Sequence, residues 1–270
     1  MNNITVTGPD ISTAWLAACC AMNDAAPVAY HTVVRIHDPL TEKTAIRRAL
    51  DQILQDAGLQ PIDTVANTIF PAALARSSKD HLDLSRRYEV MLPTLLRLSP
   101  KNDRGTYFER LIAFPGPEGP VNQLDAVIGR LRSEIAKTAS GTGPMTAAYE
   151  AGFTVPGGGT DDNLQGVATA SLPVRVPGHD RRFPGFPCLS HCSFQLDRSG
   201  TLHAMAHYRS QWMTERAYGN YLGLGRLLGY IAAQAGVQPG ELTVTAGFAQ
   251  LDQRRRLTAL LRSASEVSAV

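Results

Sequence analysis

The chain has 270 residues, 26 Lys+Arg against 24 Asp+Glu, a formal net charge of +2 and 44% hydrophobic residues, the profile of an ordinary globular protein able to bury a core without disulfides or structural metals. So balanced a charge excludes the many-phosphate grip of an electrostatic nucleic-acid binder. No apolar run approaches the roughly 18 to 20 residues that span a bilayer, and Met1-Asn2-Asn3-Ile4-Thr5-Val6-Thr7 lacks a basic and then apolar leader, so a cytoplasmic protein with no membrane partner is expected.

Taken in chain order, Val33-Val34-Arg35-Ile36 reads as a strand. Over 41–57, Ile46, Ala49, Leu50, Ile53, Leu54 and Ala57 recur at three- and four-residue spacing, which predicts an amphipathic helix ended by Gly58 and Pro61. Residues 114–120, rich in Pro and Gly, read as a loop before a second helix over 121–135, whose aligned face is Leu124, Val127, Ile128, Leu131 and Ile135. From 138 to 187 no periodicity persists, and Pro156-Gly157-Gly158-Gly159 and Pro177-Gly178 predict a loop-rich connection. Residues 188–196 and 201–208 read as two strands of a hairpin turned by Asp197-Arg198-Ser199-Gly200. A long helix over 221–237, apolar nearly all round, is expected to be buried. Gln238-Pro239-Gly240 stops it, and Leu242-Thr243-Val244-Thr245 is expected to be the last strand. Strands and segregated helices together predict an α+β fold in a single domain over 1–270.

Four cysteines, Cys19, Cys20, Cys188 and Cys192, are in a reducing compartment either core filler or chemistry. Cys188 and Cys192 are four residues apart on one strand, roughly 13 Å, too far for a disulfide or a shared zinc. His203 and His207 share a strand face, yet no carboxylate or cysteine stands at matching spacing, so no metal is expected. Arg209-Ser210, at a strand end, offers a guanidinium and a hydroxyl suited to an anion, or to an ordinary ion pair.

Taken jointly, Phe186-Pro187-Cys188, Phe194, the turn at Gly200, Tyr208-Arg209-Ser210, Asn220 ten residues after Ser210, the apolar helix and Gln238-Pro239-Gly240-Glu241 resemble the catalytic half of the thymidylate synthase and pyrimidine-nucleotide hydroxymethylase family. The match runs from about Phe186 to Leu251, roughly a quarter of the chain. Tyr107 and Asn122-Gln123-Leu124 resemble, more loosely, the family's tyrosine and helix start. The resemblance implies a mixed sheet flanked by helices, a homodimer joined sheet to sheet, and 5,10-methylenetetrahydrofolate as one-carbon donor. It implies Cys188 as the nucleophile that adds to C6 of a pyrimidine, Arg209 and Ser210 as phosphate ligands, and Asn220 as the amide that reads a uracil edge. Glu89, in Tyr88-Glu89-Val90, is the candidate for the family's proton-organising glutamate, and Tyr107 for a pocket hydrogen-bonding residue. A nearby cation such as Arg209 would favour the thiolate, because a free thiol is only a few per cent ionised at neutral pH.

Departures from the family pattern bear on specificity. Where its members carry Gly-Asp-x-His-x-Tyr on the sugar, this chain reads Gly247-Phe248-Ala249-Gln250-Leu251-Asp252. Gln250 and Asp252 would then meet the sugar, with a carboxylate suited to a ribose diol. The partner-donated arginine pair has no match at Gly141-Thr142-Gly143-Pro144-Met145, although Arg181 and Arg182 precede Cys188, and the aspartate two residues after Arg-Ser is Trp212. A closing tail like the family's has no counterpart before Val270, which favours hydroxymethylation over reductive methylation. The expected function is therefore one-carbon transfer to C5 of a pyrimidine nucleotide. The alternatives are a non-nucleotide aromatic acceptor in secondary metabolism, or a catalytically silent ligand-binding homologue.

Overall fold

A computed structural model describes residues 3–98, 105–116, 119–139, 169–175 and 187–268. The chain mixes helices with a mixed sheet and divides into two compact units.

The first unit draws on residues 1–69, 205–226 and 240–270. It begins with strand β1 (Thr5–Asp10), helix α1 (Ile11–Ala25) and strand β2 (Val28–Asp38), β1 and β2 running parallel with Thr5 opposite Val33. Asp10 ends the strand and starts the helix, its carboxylate accepting from the Thr13 N–H at 2.9 Å, as an N-cap does. A Cβ on Gly8 would lie 2.5 Å from the Ala14 nitrogen, so this turn closes only around glycine. Helix α1 buries Ile11, Ala14, Trp15, Ala18, Cys19 and Met22. Helix α2 (Thr44–Asp56) buries Leu50 and Leu54, within the stripe its spacing predicts, and α3 (Ile62–Ile69) buries Ile62, Val65, Ala66 and Ile69.

Strand β2 is longer than Val33–Ile36 because the chain passes a break in its own alternation. His31 has a φ of 52°, and the antiparallel ladder to strand β9 (Gln238–Gln250) runs Tyr30 to Phe248 and then Thr32 to Ala246, leaving His31 and Gly247 unpaired. Both strands shift by one residue together, so Ala29, Thr32, Val34 and Ile36 all stay buried. Strand β9 also begins earlier than expected. The helix before it stops at Gly236, whose φ is 76°, and Pro239 is tolerated near the strand start, where a missing N–H costs little. Two-residue strand β8 (Gln211–Trp212) lies parallel to β9, Gln211 beside Ala249 and Trp212 beside Gln250.

Nor is β9 the last element, since helix α9 (Arg254–Ser268) follows it. Its first turn carries three arginines, against the helix dipole. Two have a compensating job: Arg254 donates to the side chain and carbonyl of Asn23 near the end of α1 (2.8 and 3.0 Å), and Arg256 to the Asp56 carbonyl ending α2 (3.3 Å). Cations at the carbonyl ends of two other helices offset the conflict.

The second unit draws on residues 70–204 and 227–239. Its helices are α4 (Ala72–Arg76), α5 (His81–Leu98), α6 (Tyr107–Ile112) and α7 (Gln123–Ala139). An aromatic cluster forms the core, with Tyr88 edge-on to Phe108 at 4.7 Å and Phe70 against Phe108 and Tyr230 at 5.9 and 4.9 Å. Residues 114–120, expected as loop, instead supply β3 (Phe114–Gly116) and β4 (Gly119–Val121), which pair antiparallel. Pro115 opposite Pro120 in that ribbon has no N–H to lose. Within the connection expected to be loop, β5 (Thr169–Pro173) pairs antiparallel with β6 (Leu189–Leu196); residues 140–168 and 176–186, including Pro156 to Gly159 and Pro177-Gly178, lie outside the described residues. Strand order is β1-β2-β9-β7 in the first unit and β7-β6-β5 in the second, where β7 (Thr201–Tyr208) contributes residues to both. Helix α8 (Tyr218–Ala235) likewise contributes to both units, and all of Tyr221, Leu222, Leu224, Leu227, Leu228 and Ile231 are buried, as its apolar sequence predicts.

The turn between β6 and β7 carries the residues its sequence advertises. Gly200 adopts a φ of 83°, and the Asp197 carboxylate accepts from the Ser199 hydroxyl (2.6 Å), the Ser199 N–H (2.8 Å) and the Thr201 N–H (2.9 Å). These bonds, the Ser199 hydroxyl first, hold the carboxyl at about 2, below its ordinary 3.8. A folded pKa below the unfolded one means the turn's contribution is fully present above about pH 4 and is lost as pH falls through about 2. The stability difference between the native chain and Asp197→Ala should therefore be constant from pH 8 to about 4 and vanish on further acidification. Acid titrations of the two proteins, followed by circular dichroism, check this.

Candidate functional site

In the second unit the chain brings together two residues 81 positions apart. Cys188 stands immediately before β6, half-buried, and its N–H donates to the Tyr107 phenolic oxygen at 3.2 Å; the Leu189 N–H reaches the same oxygen at 3.5 Å. Tyr107 is held there by a rigid helix start. Thr106 caps α6 by accepting from the Glu109 N–H at 3.1 Å, and the Glu109 carboxylate returns to the Thr106 N–H at 3.1 Å, a reciprocal capping box. The buried Tyr88 hydroxyl then pairs with the Thr106 hydroxyl at 2.7 Å. The Thr106-x-x-Glu109 spacing is the sequence signal of this helix start.

Burial separates the four thiols. Cys19 and Cys192 are fully buried, which pushes Cys19 well above the ordinary thiol value and Cys192 up to about 12. Burial and then Asp24 raise Cys20. At those three positions the thiolate nucleophile is disfavoured. Cys192 shares its buried face with Phe194 and Leu196, whereas Cys188, just before the strand, is half-buried.

Helix α7 starts where expected. Asn122 caps it through the Asp125 N–H (3.0 Å), and the buried Gln123 amide donates to the carbonyls of Arg110 (2.9 Å) and Pro173 (3.0 Å), joining α6, α7 and β5. Glu89 is exposed on α5. Arg181 and Arg182 lie outside the described residues, as do Gly141 to Met145.

The first unit holds the other named side chains. Arg209 and Ser210 form the half-buried bend after β7, and a Cβ on Gly247 would come 3.3 Å from the Arg209 carbonyl oxygen. Asn220, in the first turn of α8, is 5% exposed, yet its amide has no hydrogen bond among the described residues. Gln211, 3% exposed, accepts from the Tyr221 hydroxyl at 3.3 Å, while its amide nitrogen is unsatisfied. Gln250 ends β9, half-buried, its side chain likewise without a hydrogen bond among the described residues.

Asp252 is committed to the fold. Its carboxylate accepts from the N–H groups of Thr214 (2.7 Å) and Glu215 (3.1 Å), closing the π-helical turn Met213–Ala217 that leads into α8. Burial raises its pKa against the opposing pull of these bonds. The ribose-diol expectation therefore loses its carboxylate and rests on Gln250. His207 bonds Thr245 at 2.8 Å and is lowered by burial and then by His31, while His203 pairs with Asp197 at 3.3 Å. Among the described residues no three His, Cys, Asp or Glu side chains converge as a metal site would require, and no helix is long and apolar enough to cross a membrane.

Removing the Tyr107 hydroxyl tests whether it sets the position of Cys188. Tyr107→Phe should lower thermal stability by about 1–2 kcal/mol for the two N–H groups its oxygen accepts, while slowing alkylation of Cys188 by iodoacetamide by more than that loss explains. Peptide-resolved mass spectrometry reads the alkylation rate. Comparison with protein-family models and with curated proteins finds no match for this chain.

Proposed function

We propose that the protein transfers a one-carbon unit to C5 of a pyrimidine nucleotide through a covalent adduct at Cys188, in a thymidylate synthase-like fold. The observation that carries this reading is the half-buried Cys188 just before β6, its backbone N–H held by Tyr107, in a chain whose other three thiols are pushed up by burial. In the proposed step the Cys188 thiolate forms a bond to C6, and the C5–C6 π pair moves onto the C4 carbonyl oxygen. The resulting enolate carbon attacks the one-carbon unit, which 5,10-methylenetetrahydrofolate would supply. Loss of the C5 proton and expulsion of tetrahydrofolate would leave a methylene on C5 while Cys188 is still bonded to C6; water adding to that methylene, and cleavage of the C6–S bond with its pair returning to sulfur, would give the hydroxymethyl product and the free thiolate.

The Asn220 amide, without a hydrogen bond among the described residues, supports a uracil base, since it can accept from N3–H and donate to O4. Arg209 with Ser210 is the proposed phosphate pair, and a homodimer joined through the outward face of the hairpin, where Met205 is 44% exposed, is part of the same reading, as is a cytoplasmic setting. A second reading, a planar acceptor lacking the nucleotide sugar, is favoured by Asp252, whose carboxylate already caps a turn.

Intact-mass measurement after incubation with 5-fluoro-UMP or 5-fluoro-dUMP, with and without 5,10-methylenetetrahydrofolate, tests the proposal. An increment equal to the nucleotide without the folate, and to the nucleotide plus the folate when it is present, together with a dimer mass by light scattering, is expected. Absence of any adduct, with no binding of UMP, dUMP, CMP or dCMP by calorimetry, would turn the assignment to the second reading.

A further inference from the structure

Strand β8 and the first turn of α8 are each fixed to other parts of the first unit, and the five residues between them, Met213–Ala217, must join the two. Gln211 and Trp212 pair with Ala249 and Gln250 of β9. The start of α8 is fixed in rotation as well as in place. Buried Tyr218 pairs its hydroxyl with that of Ser12 at 2.6 Å and stands edge-on to Trp15 at 5.5 Å, Gly219 lies so close to Val65 that a Cβ would come within 2.6 Å, and the Tyr221 hydroxyl donates to Gln211 at 3.3 Å. The chain meets both constraints by winding Met213–Ala217 as a π-helix, whose i→i+5 bonds enclose one residue more than the i→i+4 bonds of an α-helix. Wound as α-helix, the same residues would rotate everything after them by about 100°, one residue's share of a 3.6-residue turn. Asn220, the third residue of α8, would rotate with it.

The π winding is held from outside. Trp212, the residue before it, provides no side-chain cap, although the first N–H groups of a helical turn have no partner within it. Thr214 is 1% exposed, so water is a poor substitute there. Asp252, 38 positions further along the chain, supplies what is missing: its carboxylate accepts from the Thr214 N–H at 2.7 Å and the Glu215 N–H at 3.1 Å, and its carbonyl accepts from the Thr214 hydroxyl at 2.5 Å. A negative charge also suits the positive end of a helical segment. The Trp15 indole N–H adds a bond to the Met213 carbonyl at 2.7 Å, but the two N–H groups of the turn depend on the carboxylate.

We propose that Asp252 is a positioning residue for Asn220: its carboxylate holds the π-helical turn, and the turn sets the direction in which α8 presents the Asn220 amide. That this amide reads a uracil edge rests on the function proposed above; that Asp252 aims it rests on the geometry of the turn. Asp252 acts through the backbone of Thr214 and Glu215 and touches no substrate.

Two readouts test the two halves separately. The first needs no ligand: the side-chain amide signals of Asn220 in the ¹⁵N-labelled protein, assigned by their loss in Asn220→Ser. Asp252→Ala, which removes both acceptors, should move these signals, and Asp252→Asn, which keeps one acceptor oxygen, should move them less. Ile36→Val, which removes a buried methyl group from β2, is the control for lost stability alone and should leave them in place. Should Asp252→Ala not fold, Asp252→Asn carries the same readout. The second readout is calorimetric binding of UMP and CMP. Asp252→Ala should weaken UMP by about tenfold, the loss of one to two hydrogen bonds, and leave CMP nearly unchanged, so that the preference for uracil collapses, whereas Ile36→Val should keep the native ratio. The proposal is overturned if the Asn220 signals of a folded Asp252 variant coincide with the native ones, or if Ile36→Val moves them as far. Native protein that binds neither nucleotide would overturn the pyrimidine reading instead, with the positioning of Asn220 still decided by its amide signals.

Discussion

Cys188→Ser is expected to reduce adduct formation and turnover by at least about a thousandfold, a loss of the size seen when a nucleophile is removed, while Cys192→Ser keeps most of the activity. The reason is positional. Cys188 is half-buried just before β6, and its backbone N–H is fixed by a phenol itself anchored by a capping box. Cys192 is 2% exposed on the core face beside Phe194, and its thiol is pushed up to about 12 by burial. Serine in place of Cys192 puts a hydroxyl in an apolar site, so that variant should lose stability rather than chemistry. The assay is intact mass with 5-fluoro-dUMP at matched temperature, with melting temperatures measured on the same samples. Equal loss of adduct in two variants that are both folded would contradict the assignment.

The second large effect concerns the glycines of α8. A Cβ on Gly219 would lie 2.6 Å from Val65 Cβ and 2.9 Å from the Ile62 carbonyl oxygen, one on Gly223 would lie 2.7 Å from the Ala66 carbonyl oxygen, and one on Gly225 would overlap the Pro39 carbonyl. Their absent side chains let α3 and the end of β2 approach the backbone of α8 directly. Glycine in a helix interior costs about 1 kcal/mol relative to alanine, so the intrinsic effect of Gly225→Ala is stabilising. Overlap with a carbonyl fixed in another segment outweighs it, because overpacking costs about 1–3 kcal/mol and more where backbone must move. Gly225→Ala should therefore lower the melting temperature by several degrees, and Gly223→Val by more. Gly129, exposed in the middle of α7 with nothing within 4 Å of a new Cβ, provides the opposite sign: Gly129→Ala should raise the melting temperature by about 2–4 °C. Calorimetric scans of the three variants would reveal a wrong account as a common sign.

Much of the local structure was written in short-range pattern. The stripe ending in Leu50 and Leu54, the all-round apolar run of α8 and the Asp197 to Gly200 turn each depend on residues within one or two turns of each other, so periodicity and turn chemistry determine them without reference to the rest of the chain. Where the local signal was mixed, tertiary packing decided. Helix α9 has a basic first turn that only the carbonyl ends of α1 and α2 make acceptable, and β3 and β4 are proline-rich segments that become strands because each supplies the other's partner. The same division holds for the candidate site. The resemblance to a known family singled out Cys188, Tyr107 and Asn220, but only the fold brings the Tyr107 oxygen to the Cys188 N–H across 81 residues and leaves the Asn220 amide without a hydrogen bond among the described residues. It also commits Asp252 to a turn, where the resemblance had offered it to a ligand. Residue type limits what a side chain can do; which of its hydrogen bonds are already occupied depends on backbone groups distant in sequence, and only the packed structure decides that.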